Sequence, residues 1–330
     1  MRLQILSPEE ALGHILCHNL ADAQGRKAFP KGRVVRAEDV PRLRELGFEA
    51  VRVAVLDPGD VPENEAAARL GFAVAGPGVS ATTPHTGRVN LRADYAGPLE
   101  VDAEALLAIN ELDGLTVATL PAHTLVRPGQ ALATIKVIPF AVPDQALRAA
   151  EAAGHAAGGV LRVRPLVVRG VGVVLVSSPA ARLRVERGVY PAIEARVVEL
   201  GGAVLAVRHV PPDEVAVADA LAELRAAGAG LLIVAGETSV VDLDDVTPRA
   251  IRLAGGRIEH YGAPVEPGNL LLLAYLLPTG DAAPLPVLGA PGCVRSRDTN
   301  IVDLLLPRLM AGEQLRRRDI IALGHGGFLG

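Results

Sequence analysis

The residues best suited to chemistry lie in a polar segment that follows an apolar run in the C-terminal half of the chain. This first loop, residues 235–245, reads Ala235-Gly236-Glu237-Thr238-Ser239-Val240-Val241-Asp242-Leu243-Asp244-Asp245. Gly236 allows a ligand to approach the backbone closely, and Thr238 and Ser239 supply hydroxyl groups. Asp242 and Asp245 form a carboxylate pair of the kind that suits Mg²⁺. The first loop is therefore a candidate for ligand and metal contact.

Two further loops combine glycine and proline with polar side chains. The second loop, residues 289–300, reads Gly289-Ala290-Pro291-Gly292-Cys293-Val294-Arg295-Ser296-Arg297-Asp298-Thr299-Asn300, and the third loop, residues 262–269, reads Gly262-Ala263-Pro264-Val265-Glu266-Pro267-Gly268-Asn269. In the second loop a tight turn leads to two arginines and a predicted helix start. Free N–H groups beside a guanidinium suit a phosphate, and Arg295 lies just after the turn.

Each loop also has a purely structural interpretation. Glycine-rich turns between strand and helix are common in doubly wound folds, and the aspartates of the first loop would favour the positive end of the next helix. Arg295 and Arg297 would equally suit a solvated surface. What favours ligand binding is the expected convergence of the loops on one edge of a sheet.

The elements that must position these loops alternate regularly along the chain. Strands are predicted over 167–177, 203–210 and 230–235, and helices over 191–200 and 247–253. Asp213 is predicted to cap a further helix, whose apolar stripe consists of Val217, Ala220, Leu221 and Leu224 at i, i+3, i+4 and i+7. Alternation of this kind predicts an α/β fold with a doubly wound, mostly parallel sheet. In such a sheet ligands bind at the carboxyl ends of the strands, where these loops begin.

The N-terminal half has a different character and is predicted to be mixed α+β and partly β-sandwich-like. Residues 1–75 are expected to be mixed helix and strand, with a helix beginning at the capping box Ser7-Pro8-Glu9-Glu10. Residues 76–160 are expected to be β-rich and to end in a linking helix. The proposed division continues with the α/β domain at 161–312 and an Arg/Gly-rich tail at 313–330.

Several isolated residues have a functional and a structural interpretation. His14 and His18 have the i, i+4 spacing of metal ligands, but the sequence shows no third ligand, which favours ordinary surface residues. Lys136 lies within a predicted strand rather than at a hairpin tip, which disfavours lipoyl or biotin attachment. Cys293 is expected to be a small buried thiol. The tail is interpreted as mobile and solvated, with a flap over a phosphate as the alternative.

Composition excludes several classes of protein. The chain has 330 residues, a formal net charge of −4 and no Trp, so neither a basic surface for duplex nucleic acid nor aromatic stacking platforms for single strands are expected. Two cysteines fit a reducing compartment. The start of the chain has no signal-peptide pattern and its longest strongly apolar run is too short for a membrane span. We therefore expect a cytoplasmic protein without a nucleic-acid or membrane partner.

The order of the three loops resembles the molybdopterin-binding domain of molybdenum-cofactor biosynthesis proteins. Those proteins have a Gly-Gly loop with a hydroxyl residue and a later Asp, a Pro-Gly segment, and a Gly-Leu-Pro-Gly-Asn-Pro-like turn. Counterparts here are Ala235-Gly236 through Asp245, Pro264 through Gly268, and Gly289-Ala290-Pro291-Gly292. The chain as a whole resembles a subgroup in which this module is joined to a cytidylyl- or guanylyltransferase-like domain, and segments such as Thr86-Gly87-Arg88-Val89-Asn90-Leu91 contribute to that likeness.

The resemblance implies a ligand and a set of contacts. Molybdopterin is the expected ligand or substrate, with Mg²⁺ as an accompanying ion. The residues expected to contact the pterin are Gly236, Thr238, Ser239, Pro267, Gly268, Gly289, Pro291, Gly292, Arg295 and Ser296. A carboxylate of the first loop would serve metal binding and catalysis. The helix entry favours Asp245 as that carboxylate, and Asp242 remains a rival because the loop is longer than the family's.

Departures from the family pattern leave the type of function open. The first loop lacks the paired glycines, and Gly292 is followed by Cys293-Val294-Arg295 rather than Asn-Pro. Binding with hand-over to a separate nucleotidyltransferase or molybdoenzyme-maturation partner is the expected role, since the chain ends at Gly330 without a transferase domain. The alternatives are a non-catalytic carrier, an adenylyl- or molybdotransferase acting alone, and an unrelated nucleotide-binding enzyme of the same fold. Self-association is compatible with the resemblance.

Overall fold

The computed structural model describes residues 1–278 and 283–329. It divides into two compact units: Met1–Tyr95 with Leu99–Arg164, and Ala96–Pro98 with Pro165–Gly330. Within the described ranges no helix has the length and apolar character needed to cross a membrane.

The first part of unit 1 is built around a short antiparallel sheet. Its elements are β1 (Arg2–Leu6), β2 (Ile15–Leu16), β3 (Leu20–Ala21), β4 (Lys27–Phe29), α1 (Asp39–Glu45) and β5 (Val51–Val55), with the strand order β1-β5-β2. The predicted helix after Ser7 is wrong. Ser7 and Glu10 do form the reciprocal bonds of a capping box, but the chain then continues in turns to Gly13, whose φ is +81°. A left-handed residue at that point ends the turn and leads into β2.

The remainder of unit 1 is strand-rich, as predicted. Its elements are β6 (Asp60–Pro62), α2 (Glu63–Val74), β7 (Val79–Ala81), β8 (Arg88–Ala93), β9 (Gly97–Val101), α3 (Ala103–Asn110), β10 (Leu115–Thr119), β11 (Leu125–Val126), β12 (Ala131–Val137), β13 (Ala141–Pro143), α4 (Asp144–Ala156) and β14 (Leu161–Val163). The largest of its sheets has the order β10-β12-β8-β7. Lys136 lies within β12, and its ammonium group contacts Glu63 at 3.3 Å and the carbonyl of Thr86 at 2.7 Å. These contacts give Lys136 a structural role.

Unit 2 contains the predicted alternation of strands and helices. Its elements are β15 (Gly170–Val176), α5 (Arg182–Gly188), α6 (Tyr190–Glu199), β16 (Ala203–Val210), α7 (Glu214–Ala226), β17 (Leu231–Gly236), α8 (Val246–Leu253), β18 (Gly256–Tyr261), β19 (Leu272–Leu276), β20 (Leu285–Gly289), α9 (Ile301–Met310) and α10 (Arg317–Ile321), with 3-10 turns at Gly292–Arg295 and Ala322–Gly324. The strand order is β16-β15-β17-β20-β19-β18.

The sheet of unit 2 is mostly parallel and buried on both faces, which confirms the predicted fold class. The strands β15, β16, β17 and β20 pair in parallel, whereas β19 runs antiparallel to both of its neighbours, β20 and β18. Alternate residues of β15 enter different cores: Val173 packs on the face covered by α6 and α9, and Val174 on the face covered by α7 and α8. From β15 the chain moves to β16 on one side and then to β17 on the other, which creates a switch point between β15 and β17.

The helix α7 forms as the sequence predicts. The side chain of Asp213 accepts a hydrogen bond from the amide of Ala216, and the four stripe residues are all buried. Residues 313–329, by contrast, are not a solvated tail. Leu315 and Ile320 are fully buried, and the hydroxyl of Tyr275 donates to the carbonyl of Leu315 at 2.9 Å. Apolar side chains in this segment therefore anchor it to the domain, despite the exposed arginines between them.

The third loop packs against the start of α9. The amide of Ile301 donates to the carbonyl of Pro267 at 3.2 Å. Gly268 has a φ of +139°, and a Cβ atom there would lie 2.3 Å from Cγ2 of Ile301. Pro267 and Gly268, both predicted to contact the pterin, are thus engaged in packing between the loop and the helix.

Replacing Gly268 with Ala should destabilise the protein by about 2–5 kcal/mol, because the backbone angle and the contact with Ile301 both disfavour a side chain. Urea unfolding of the full chain measures this difference. Gly188→Ala is the matched control, since a Cβ at that helical position meets nothing within 4 Å. Equal unfolding free energies for the two variants would contradict the packing role.

Candidate functional site

One cavity of unit 2, called the main cavity here because the first loop lines it, opens at the carboxyl ends of β15 and β17, at the switch point. Its volume is about 440 Å³. The lining residues are Val176, Ser177, Pro212, Val234, Ala235, Gly236, Glu237, Thr238, Ser239, Val240, Val241, Asp245, Val246, Thr247 and Ala290. The walls are apolar at the strand ends and polar along the first loop, so the cavity suits a flat ligand that carries a few polar groups.

Gly236 lets the two central strands end close together. A Cβ atom at this position would lie 2.7 Å from the carbonyl oxygen of Val176, and the amide of Glu237 donates to that same oxygen at 2.9 Å. The first loop therefore begins beside the end of β15, and any side chain at 236 would push the strands apart.

The aspartates of the first loop hold the loop itself together. One carboxylate oxygen of Asp245 accepts from the amides of Val241 and Asp242 at 2.7 and 3.0 Å, and Asp242 accepts from the amide of Asp244 at 2.7 Å. Asp245 also lines the cavity, whereas Asp242 is outside the lining set. These bonds turn the loop amides towards carboxylates and fix the entry to α8.

A serine hydroxyl joins the first loop to the second. The amide of Gly292 donates to Oγ of Ser239 at 2.9 Å, and a Cβ at position 292 would lie 3.1 Å from that oxygen. Thr238 lines the cavity next to Ser239. The two predicted loops are therefore in direct contact, as expected from their places at neighbouring strand ends.

Arg295 stands at the edge of a second, smaller cavity. That cavity has a volume of about 80 Å³ and is lined by Arg184, Val185, Gly188, Val189, Gly236, Glu237 and Arg295. The Nε atom of Arg295 donates to the carbonyl of Gly292 at 2.8 Å, which sets the direction of an otherwise exposed side chain. Gly236 and Glu237 belong to both cavities, so the two spaces are adjacent.

The other residues predicted from the second loop play structural parts. A Cβ at Gly289 would meet Cβ of Leu272 at 2.7 Å, so this glycine serves packing between β20 and β19. Ser296 bonds Asp298 through its hydroxyl at 2.7 Å. Pro291 and Ser296 are outside the lining set of the main cavity. Cys293 is half-buried, and burial raises the pKa of its thiol.

Arg196, which the sequence did not single out, holds the second loop in place. Its guanidinium group is 3% exposed and donates to Asp303 at 2.8 Å, to the carbonyl of Val294 at 2.9 Å and to the carbonyl of Ser296 at 2.8 Å. Asp303 also accepts from the amide of Asn300 at 2.9 Å, completing the capping box of α9. A single buried cation thus fixes both the loop and the helix that follows it.

The segment that follows β15, up to and including α5, supplies two more polar residues that sequence reasoning missed. Ser178 donates to the carboxylate of Glu237 through its amide at 3.1 Å and through its hydroxyl at 2.9 Å, and Arg184 donates to the other oxygen at 2.9 Å. Hydrogen bonds from Ser178, with the charge of Arg184, hold the pKa of Glu237 below its usual range. The sequence feature that could have indicated this contact is the pair Ser177-Ser178 directly after a buried strand.

Ser177 is paired with a histidine at the end of β16. Its hydroxyl lies 2.7 Å from Nε2 of His209, and Ser177 is buried. Burial lowers the pKa of His209, and the positive charge of Arg182 adds to this effect. His209 therefore orients the hydroxyl of Ser177, a residue that lines the main cavity.

The described residues contain no group of three or more His, Cys, Asp and Glu side chains arranged to hold a metal ion. Magnesium needs several oxygen ligands, and Asp242 and Asp245 already direct carboxylate oxygens to loop amides. This donor set does not fit a Mg²⁺ site as it stands.

The structure thus brings some predicted residues together and separates others. The main cavity is lined by Gly236, Thr238, Ser239 and Asp245, and Arg295 borders the adjoining cavity. Gly292 is hydrogen-bonded to the site through Ser239. The remaining predicted residues lie beside these cavities or pack within the domain.

Comparison with known families gives a match to the part of the chain that contains this site. Residues 172–311 match the family described as "Probable molybdopterin binding domain", and residues 6–55 match a domain of unknown function. No curated protein matches the chain.

Three solved structures illustrate the range of structural likeness. The tungsten cofactor synthesizing protein MoaB from Pyrococcus furiosus is 18% identical, with 42% of this chain and 89% of that chain covered and a TM-score of 0.30. A MogA structure is 20% identical, with 42% and 92% covered and a TM-score of 0.28. A molybdenum cofactor biosynthesis protein from Pyrococcus furiosus is 11% identical, with 94% and 63% covered and a TM-score of 0.26. Likeness of this degree transfers no function.

The family match covers the strands and loops that form the cavity, from β15 to the end of α9. The predicted relation to modules fused with a nucleotidyltransferase stays a prediction. The match of residues 172–311 supports a domain of the molybdopterin-binding type found in molybdenum cofactor biosynthesis, as the order of the three loops predicted.

Proposed function

We propose that the chain binds molybdopterin at the carboxyl ends of β15 and β17 and acts in the cytoplasm as a carrier in cofactor biosynthesis. The observation that supports this most is the location of the main cavity. It lies at the switch point of a mostly parallel sheet, inside the stretch that matches the family, and is lined by the first loop.

The two adjoining cavities suit the two chemical parts of a phosphorylated pterin. The main cavity combines apolar strand ends with the hydroxyls of Ser177, Thr238 and Ser239, which suits a flat heterocycle with polar edges. The smaller cavity is bordered by Arg184 and Arg295, whose guanidinium groups suit a phosphate. Pro267, Gly268, Gly289, Pro291 and Ser296 would then act by shaping the loops.

Hand-over to a separate nucleotidyltransferase is the second part of the proposal. The amides of Val241, Asp242 and Asp244 donate to aspartate side chains of the same loop. Backbone donors engaged in this way are not offered to a triphosphate. This arrangement favours binding over adenylyl transfer, for which Asp242 and Asp245 would have to leave their present partners.

Molybdopterin should bind the purified 330-residue chain under anaerobic conditions, and Arg295→Ala should weaken binding about tenfold or more. Loss of a charge-assisted bond costs about 1.5–3 kcal/mol, and 1.4 kcal/mol corresponds to a factor of ten. Isothermal calorimetry measures the affinities. Arg182→Ala is the control, because Arg182 is exposed on α5 and borders neither cavity. Equal affinities for the two variants would move the phosphate away from Arg295, and absence of any binding would contradict the function itself.

The protein alone should form no nucleotide-linked pterin at a useful rate when incubated with molybdopterin, Mg²⁺ and either ATP or CTP. The reason is the engagement of the loop amides and aspartates with one another. Chromatography with mass spectrometric detection follows the product, and a reaction with an added nucleotidyltransferase serves as the positive control. Rapid product formation without added enzyme would establish an adenylyl- or cytidylyltransferase instead.

A further inference from the structure

The carboxylate of Glu237 lies in a set of donors that is suited to an external anion. It accepts from the amide and the hydroxyl of Ser178, at 3.1 and 2.9 Å, and from the guanidinium group of Arg184 at 2.9 Å. A backbone N–H, a hydroxyl and an arginine together are a common cradle for phosphate or carboxylate oxygens. Arg184 and Glu237 also line the smaller cavity beside Arg295.

Glu237 differs in its partners from the aspartates of the same loop. Asp242 and Asp245 accept from amides two to four residues away, and so they stabilise the local turn. Glu237 instead reaches donors that are 53 and 59 residues away in sequence, on the segment after β15. Its carboxylate is therefore not needed to shape the first loop.

The side chain of Glu237 is accessible enough to leave. It is 31% exposed and lines both the main cavity and the smaller one. Rotation about its side-chain bonds would release Ser178 and Arg184 to whatever enters between the two cavities. An incoming phosphate offers oxygen acceptors to the same three donors, but two anions cannot share them.

We infer that Glu237 is an internal anion that occupies the phosphate subsite and must be displaced when a phosphorylated ligand binds. This inference rests on the proposed function, because it concerns the phosphate end of the same site. While Glu237 is docked, the subsite is closed. The apparent affinity for a phosphorylated ligand is the intrinsic affinity multiplied by the fraction of molecules in which Glu237 is undocked, so a small undocked fraction means weak binding. The docked carboxylate thus weakens retention of the phosphate and favours release of the ligand.

The test measures binding of inorganic phosphate and pyrophosphate to the full chain by isothermal calorimetry. Glu237→Ala should bind pyrophosphate at least tenfold more tightly than the wild type, which corresponds to an undocked fraction of about 10% or less. Glu237→Gln keeps the size of the side chain but removes its charge, and should show a smaller gain. Glu223→Ala is the matched control, since it also frees an arginine, Arg208 at 2.7 Å, on an exposed surface away from both cavities. This control should leave affinity unchanged.

A second variant tests whether Arg184 is responsible for the gain in affinity for pyrophosphate. Adding Arg184→Ala to Glu237→Ala should return affinity for pyrophosphate to the wild-type level, because the released cation is removed. The inference is overturned if Glu237→Ala and Glu237→Gln bind no more tightly than the wild type, or if the gain persists without Arg184. Should Glu237→Ala fail to fold, the pyrophosphate affinities of Glu237→Gln with and without Arg184→Ala test the inference in the same way.

The outcome is separable from that of the proposed function. Molybdopterin binding by the wild type without any gain in Glu237→Ala would leave the function standing and remove the inference. A gain for pyrophosphate that depends on Arg184, without molybdopterin binding by any variant, would support the subsite and contradict the identity of the ligand.

Discussion

The second loop and the start of α9 depend on one buried cation. The guanidinium group of Arg196 satisfies carbonyls of Val294 and Ser296 and pairs with Asp303, which in turn accepts from the amide of Asn300. Removing Asp303, whose side chain is 30% exposed, would leave the buried guanidinium group without a counter-charge, at a cost no larger than the about 3–5 kcal/mol of fully buried pairs. Because Gly292 then bonds Ser239, the position of the second loop relative to the first also follows from this pair.

The polar groups of the site fall into two kinds. Some are hydrogen-bonded within the loops themselves: the aspartates of the first loop accept from amides of that loop, and the hydroxyl of Ser296 donates to Asp298. Others face a cavity, including the hydroxyl of Ser177 held by His209 and the guanidinium group of Arg295. The aspartate carboxylates of the first loop belong to the first kind, although Asp245 also lines the main cavity, whereas the hydroxyl of Ser177 and the guanidinium group of Arg295 belong to the second. A site divided in this way is better suited to hold an anion than to hold a metal ion.

Sequence reasoning succeeded where the signal was local. The buried strands of unit 2 read as continuous apolar runs, and the stripe of α7 and its Asp213 cap were visible from spacing alone. It failed where partners are distant: Arg196 and Asp303 are 107 residues apart, and Ser178 and Glu237 are 59 apart. Local signals also mislead, since the Ser7 capping box formed without a helix. Spacing places side chains on an element but does not say which distant group each will meet.

The division of charge between the two cavities constrains the type of ligand. The main cavity is lined by Glu237 and Asp245 with neutral residues, and its lining set includes no Arg or Lys. The arginines border only the smaller cavity, in which Glu237 already balances Arg184. A triphosphate with its many negative oxygens would meet carboxylates in the larger space. A ligand with a neutral ring and one phosphate could place the ring there and exchange its phosphate with Glu237. Electrostatics thus favours a ligand with a neutral ring and one phosphate, such as the proposed phosphorylated pterin, over a nucleoside triphosphate.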